Sequence, residues 1–480
     1  MRTKESQERK GARTFEGCRN PILPPWIHIP DAEAHVFPDG TLGIFGSFDD
    51  REDLYCSSEY HPVTTRDLHR FTVHETSLRG EEVPWFGDPD APHYPGIDWL
   101  HPTPFLQRMI DGMRAAGEDL LALAEREAQQ EKPPLLFAPD CAYRDGRYYL
   151  YFCMNDDSEG VAVADRPEGP YTDITRFPIG GIDPAVFVDD DGKAYLYWGQ
   201  IQSHGARLAP DMVSLVPGSQ TDGLLTEEEH FFHEGSSMRK IGGTYYCVYA
   251  DLERGKPTSL GYATGPSPLG PFTYRGIVID NAECDPESWN NHGSIECVNG
   301  QWYVFYHRAS RGGQMHRRLC IEKLEILPDG TIPEVLMTSQ GLGEPFAPGE
   351  RIEGWRACGV HGGACVGPLT EEEARAEGIG AQERECQEYL RGLTEGASAI
   401  YRYVRSDKAY TGVRIEASGR GRLLISLDDI PAGEILITGE GSGSRMASYE
   451  AAIAAPAGQY TLRIEVKEGE NLLLDAITLW

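Results

Sequence analysis

The sequence predicts an all-β chain: a five-bladed β-propeller followed by a smaller β-sandwich, with one helical insertion after the start of the first blade. Three observations predict it. Five times a turn signal precedes a strand rich in aromatics: PDGTLGIFGS from Pro38, RDGRYYLYFC from Arg144, DDGKAYLYWG from Asp190, IGGTYYCVYA from Ile241 and VNGQWYVFYH from Val298. With Gly40, Gly146, Gly192, Gly243 and Gly300 as the turn residues, the intervals are 106, 46, 51 and 57 residues. The last three fit one four-stranded blade per repeat, and the first fits a blade plus a long insertion. Beyond the repeats, from about Leu390 to Trp480, short alternating strands between Gly, Asp and Pro turns, such as GRLLISLDDIPAGEILITG, read as a small sandwich.

The first blade's inner strands fall at Ala34 to Phe48. The insertion begins at TPFLQRMIDGMRAAGEDLLALAEREAQQ, where Thr103 is an N-cap and Pro104 the first helical residue. Phe105, Met109, Met113, Ala116, Leu120 and Leu123 recur at helical spacing and predict a helix over roughly 103–131. Such a helix packs on the propeller rim, covers the mouth as a lid, or serves a dimer contact. The propeller ends near Gly343, which divides the chain into 1–344 and 345–480. The charged run TEEEARAEGIGAQERECQEYL reads as a solvated helix or mobile loop.

A formal charge of −31 over 480 residues argues against nucleic acids and anionic membranes as partners, since both are repelled before contact. A neutral sugar is unaffected. The polar start MRTKESQERKGARTF lacks the apolar core of a secretory signal, and no apolar stretch approaches a membrane span, so the expectation is a soluble, cytoplasmic protein. Eleven cysteines at irregular spacing, with no C-x-x-C pair, fit reduced thiols.

Three repeats carry a carboxylate nine residues before the turn glycine: Asp31, Asp183 and Glu234. In a propeller, equal offset means equal place on the innermost strand, so three acids converge at one mouth beside the axis. Two carboxyls flanking a glycosidic bond are the minimum equipment for glycoside hydrolysis, and a third separates their pKa values. Glu234, in HEGSSM, sits beside a glycine that lets substrate approach and suits the general acid. Glu33 shares the strand face of Asp31 as a weaker candidate for the base or a sugar contact, and Asp140, six residues before its glycine, is out of register and reads as structural. Trp26, Phe45, Phe48 and Trp289 are candidates for the apolar wall of a sugar subsite.

These contexts resemble glycoside hydrolase family 43. NPILPPWIHIPDAEAHVF is similar to the family's opening motif, FAPDCAYRDGRYYLYF to its second-blade motif, IDPAVFVDDDGKAYLYWG, HEGSSMRKIGGTYY and NNHGSIECVNGQWYVFYHR to the next three, over about residues 20 to 343. The resemblance implies Asp31 as general base, Asp183 as the group that raises the pKa of the acid and orients it, and Glu234 as general acid in a single inverting displacement. Ala32 stands where the base motif commonly has proline. By the same resemblance His292 faces the axial channel and helps hold a water or a mostly hydrated structural calcium ion, with no cofactor required for the chemistry. Arg317 or Arg318 touches substrate, and strand alternation admits only one.

The stretch from Pro345 resembles carbohydrate-binding module family 6, which implies Asn471 as a sugar contact. The usual stacking tryptophan is missing in SRMASYEA, leaving Tyr449. Together these imply an inverting glycosidase releasing terminal L-arabinofuranose or D-xylose from plant-derived oligosaccharides. The alternatives are a galactan- or galactofuranose-acting relative, or a propeller that only binds carbohydrate.

Overall fold

A computed structural model describes residues 11–94, 96–97, 102–115, 117, 133–441 and 443–480. The five repeats become five antiparallel sheets whose inner strands are Glu33–Val36, Asp140–Arg144, Ala185–Val188, Phe232–Ile241 and Ser294–Val298. Each inner strand packs against the next and the fifth against the first, which closes the ring of a five-bladed propeller. The five turn glycines all lie at φ between +79° and +93°, a conformation that costs glycine nothing and other residues a Cβ clash. That is why the repeat is visible as a glycine period.

Blades two, three and four have four strands. The first has five, its outermost Arg13–Glu16, and the fifth has three: Ser294–Val298, Gln301–Ser310 and Gly313–Leu324. The N-terminal segment completes the fifth blade. Ile22 N–H donates to Leu319 O at 3.0 Å, and the Asn20 amide bonds Ile321 O, Ile321 N–H and Glu322 at 3.0, 2.9 and 2.8 Å. Chain ends far apart in sequence are thereby tied together.

Between blades the aromatic strands interlock by their period of two. Tyr151 joins Phe177, Leu196 and Trp198 between blades two and three, while its neighbours Leu150 and Phe152 join Phe45 and Leu136 between blades one and two. Burying each such ring is worth roughly 1.5–3 kcal/mol.

The insertion forms an α-helix, Pro104–Ala115, with Leu106 N–H donating to the Thr103 hydroxyl at 3.2 Å as the N-cap requires. Its continuation toward 131 falls largely outside the described residues. The buried face differs from the predicted one: Leu106 and Ile110 pack on Ile201 beside Ile97, and Met109 is exposed. The helix rests on the loop after the second strand of blade three, so the face that meets Ile201, one residue round from the predicted stripe, is the buried one.

From Ile352 onward, nine strands form one connected network around a single core that includes Tyr401, Ile415, Leu462 and Ile477. Two long strands, Tyr410–Leu427 and Gly458–Leu479, pair with each other and with most of the rest, tying the C-terminal domain together. Tyr449 is buried in that core and its hydroxyl accepts from Glu440 N–H at 2.9 Å, so it offers no stacking platform. The charged run is largely a solvated helical segment, as one of the two expectations had it, but not solvated throughout. It forms two short helices, Glu371–Glu377 and Ala381–Glu385, and then buries Glu388 against the propeller. All eleven cysteines are free thiols. Among the described residues no helix is long and apolar enough to cross a membrane.

Candidate active site

Asp31, Asp183 and Glu234 line one cavity of about 260 Å³ at the end of the propeller axis, with Tyr55, Gln200, Trp289, Asn290, His292, Gln314 and Arg317 around them. All three carboxyls are buried, between 3% and 8% exposed. Asp31 and Asp183 also share a backbone conformation, at φ +57° and +59°, which aspartate tolerates better than most residues. Equal offset in sequence has become equal geometry: each chain turns sharply just before its inner strand and aims the side chain at the axis. Glu234 lies instead at a bulge beside Gly235, whose φ is +66° and whose Cα faces the His292 ring; a Cβ there would meet that ring at 2.9 Å.

The three acids differ in their partners. Asp31 accepts from Arg317 Nη1 at 2.8 Å and from the Ser47 hydroxyl at 2.6 Å, with His307 Nδ1 at 3.3 Å. Burial works to raise its pKa, but Arg317 and then His307 outweigh burial and hold the carboxyl far below the usual range. Arg317 also grips Asp49 through Nε and Nη2, both at 2.9 Å, and lies over the Tyr55 ring at 4.1 Å. At Asp49 burial, joined by the neighbouring Asp31 charge, wins and the pKa rises; Asp31 stays low beside Arg317 and the His307 ring, whose Nδ1 accepts the Asp31 backbone N–H at 3.3 Å.

Asp183 has only a histidine edge, His292 Nδ1 at 3.6 Å, beside its carboxyl. Burial, then Glu234 and Asp31, push its pKa well up, which favours its protonated form. Glu234 accepts from Gln200 Nε2 at 2.7 Å and Asn290 Nδ2 at 3.2 Å, with His233 Nε2 at 3.8 Å. Burial opposes its charge, but His233 and those two amides draw its pKa down. The amide donors favour the ionised form of Glu234, and burial beside two other acids favours the protonated form of Asp183. Two interacting carboxyls titrate as a unit, so the pair holds one proton that either can carry.

Of the remaining predicted residues, Arg317 and Trp289 line the cavity; Trp289 is 45% exposed at its rim. Arg318, one position on, points the opposite way and pairs with Glu388 of the C-terminal domain. Trp26 and Phe48 do not line the cavity: both pack against the first-blade core, Trp26 edge-on to Phe15 and Phe48 edge-on to His61, and Phe45 is buried in the interface with blade two. Sequence alternation gives the spacing of such rings but not which side of the blade is the wall. Asn471 is exposed at φ +50°, its carbonyl against Gly419, and is not part of the cavity.

His292 lines the cavity, and among the described residues the carboxylate within 4 Å of its ring is Asp183. Calcium takes six to eight oxygens. An ion leaning on His292 would therefore draw nearly all its shell from water. Among the described residues one group has metal-like spacing, Glu33, His35 and Asp140, whose ligand atoms lie within 4.8 Å of one another. Positive charge is already supplied there by Arg239, whose Nη2 is 2.9 Å from Glu33, and by His35, 2.7 Å from Asp140. Glu33 thus faces this axial ion cluster rather than the cavity, and Asp140 also caps Val186 N–H at 2.6 Å.

Gln200, Asn290, Tyr55, Asp49 and Gln314 escape a sequence reading. They come from loops and, for Gln314, a strand end, with no shared offset, and only the WNN run beside Trp289 offers a polar signal near a repeat.

The chain matches the family model glycosyl hydrolases family 43 over residues 116–332. It is 29% identical to a xylosidase/arabinosidase of Thermoclostridium stercorarium, covering 96% of this chain and 98% of the other. A beta-xylosidase of Xylanibacter ruminicola is 33% identical over 42% of this chain and 74% of its own length. Among solved structures, a family 43 beta-xylosidase/alpha-arabinofuranosidase from a compost microbial metagenome, in complex with xylotriose and in calcium-free form, superposes with a TM-score of 0.51. It is 26% identical and covers 68% of this chain and 99% of that one.

Proposed function

The chain belongs to glycosyl hydrolases family 43 and is a glycoside hydrolase, and on that premise we propose that it releases a terminal pentose, L-arabinofuranose or D-xylose, from short oligosaccharides with inversion of configuration. The observation that carries this reading is the unequal treatment of three acids in one cavity: Asp31 is bound by Arg317 at 2.8 Å, Glu234 by two neutral amides, and Asp183 has a histidine edge at 3.6 Å. A cavity of about 260 Å³ suits a single sugar ring with the start of a second, in keeping with exo action. The xylosidase and arabinosidase relatives support a pentose.

In this reading Asp31 is the base. It takes a proton from a water that attacks the anomeric carbon, while Glu234 gives its proton to the departing glycosidic oxygen and the C–O bond breaks. Substrate expels water from the cavity, which disfavours charge on Glu234 and draws the shared proton across from Asp183. The cycle leaves Asp31 protonated and the pair one proton short, and exchange with solvent restores both. Inversion requires the base and acid carboxyls to stand about 6.5–9.5 Å apart, with room for the water.

The test is release of p-nitrophenol from the α-L-arabinofuranoside, β-D-xyloside, β-D-galactopyranoside and β-D-galactofuranoside, with NMR of the first-formed anomer. Activity on a pentoside with inverted product, lost in Asp31→Asn, is the expected outcome. Retained configuration, or activity on the galactosides alone, overturns it.

A further inference from the structure

Gln314 enters the cavity wall from the hairpin that joins Gln301–Ser310 to Gly313–Leu324. The tip of that hairpin is strained: Arg311 and Gly312 lie at φ +68° and +65°, and arginine seldom adopts such a conformation unless its surroundings impose it. The surroundings here belong to the C-terminal domain. Arg311 N–H donates to Val366 O at 2.6 Å, its Nε to Glu388 at 2.9 Å and its Nη1 to Glu385 at 2.7 Å. Glu388 spends its second oxygen on Arg318, and its side chain is fully buried. One carboxylate thus binds two arginines, one in the turn before the returning strand and one in the strand's middle, with Arg317 and its grip on Asp31 one residue from the second.

The opposite flank of the tip is also tied. Gly312 N–H donates to Asp285 at 2.9 Å, and Asp285 opens the loop that runs on to Trp289 and Asn290. Gln314 and Trp289 therefore share a mechanical frame. Both belong to the cavity's wall, Trp289 exposed at its mouth, whereas Asp31 and Arg317 are deeply buried. Asn290, next to Trp289, donates to Glu234, so this side of the wall is the one beside the acid, where the leaving group departs.

We propose that Glu388, with Glu385, is a positioning residue of the C-terminal domain: it fixes the 310–314 hairpin so that Gln314 and Trp289 hold the second sugar of an oligosaccharide substrate. The inference rests on the role of Glu234 proposed above. A buried carboxylate between two arginines is a poor source of net stability, because desolvation offsets most of the attraction, and a better device for imposing one arrangement. The C-terminal domain then acts on specificity through the cavity wall and needs no sugar site of its own.

The experiment is a double-mutant cycle of Glu388→Gln and Gln314→Ala, read on a p-nitrophenyl pentoside and on the pentose trisaccharide that the wild type cleaves. Glu388→Gln is expected to raise KM for the trisaccharide by about tenfold and change the aryl glycoside by less than about twofold, since a nitrophenyl group offers no hydroxyl to Gln314. In the Gln314→Ala background the same change is expected to add nothing. Additive effects, or equal losses on both substrates, overturn the proposal. If Glu388→Gln does not fold, as judged by urea unfolding, Glu385→Gln takes its place, being 32% exposed and less costly to alter. An inert wild type, or a Glu234→Gln variant as active as wild type, would count against the reading of the cavity. The cycle is then read as trisaccharide binding by calorimetry, with the same two outcomes.

Discussion

Arg317→Met separates the electrostatic account of the base from a merely structural one. The guanidinium makes one bond to Asp31 at 2.8 Å, two to Asp49 at 2.9 Å and a contact with Cys56 Sγ at 3.3 Å, all buried. Methionine fills much of the same volume without the charge. Removing one partner of a buried pair typically costs about 3–5 kcal/mol, against a total stability of roughly 5–15 kcal/mol for a domain. The variant should therefore fold, with a clearly lower urea midpoint. Its larger effect falls on Asp31, whose burial is then opposed only by the Ser47 hydroxyl and the neighbouring His307 and His292 rings. Burial disfavours the carboxylate, so the pKa rises from far below the usual range to above it.

A base must be ionised to work. In the wild type Asp31 is ionised throughout the working range, so it sets no acid limb on kcat/KM. In the variant Asp31 is protonated at neutral pH and general-base assistance, typically worth about 10²–10⁴-fold, is withheld. Activity should then climb with pH over a range where the wild type is level or falling, a trend that unfolding does not produce. Arg317→Lys keeps the charge but serves one carboxylate at a time, and should fall between the two. A kcat/KM profile for Arg317→Met with the wild-type shape, whatever its height, would refute the assignment of Arg317 as the group that keeps Asp31 ionised.

Glu234→Gln should lose about 10²–10⁴-fold on unactivated disaccharides and far less on p-nitrophenyl glycosides, because a good leaving group needs no proton. In Asp183→Asn the like charge beside Glu234 is gone, so the pair's proton is lost at lower pH, and the alkaline limb of kcat/KM should move down in pH; an unmoved limb counts against the shared proton. Asn20→Ala breaks three buried hydrogen bonds between the N-terminal segment and the fifth blade, and should cost roughly 1–3 kcal/mol in urea unfolding while leaving KM unchanged.

The propeller was legible because its constraint repeats. A turn that demands positive φ recurs at Gly40, Gly146, Gly192, Gly243 and Gly300, and an inner strand that must begin beside the axis puts Asp31 and Asp183 at one offset with one backbone conformation. Glu234 shares the offset but reaches the cavity through a bulge, a local detail with no periodic signature. The aromatics fared worse. Trp26, Phe48 and Trp289 look alike in sequence, and only the packing of neighbouring blades decides that one faces the cavity and two face the core. The run around Glu388 reads as solvated because its partners, Arg311 and Arg318, stand some seventy residues upstream on another domain, beyond the reach of any local pattern.

What divides the labour among three like residues is the distribution of donors around them. Asp31 receives an arginine and a hydroxyl, with the His307 ring accepting its backbone N–H; Glu234 receives two neutral amides, with a histidine at longer range; Asp183 receives almost nothing. Burial alone would neutralise all three, and an arginine placed centrally would ionise all three. Neither state can both give and take a proton. The off-centre position of Arg317, bracketed by Asp49 on its far side, confines its charge to Asp31 and leaves the other two acids to repel each other into sharing. A chain with a net charge of −31 thus keeps one of its few buried cations where it makes one acid different from its neighbours. A second layer on the axis repeats the device: Arg239 and His35 pair with Glu33, Asp140 and Glu296 from four blades, and burial pushes the Glu33 carboxyl up to about 7, so the like charge there is largely offset locally.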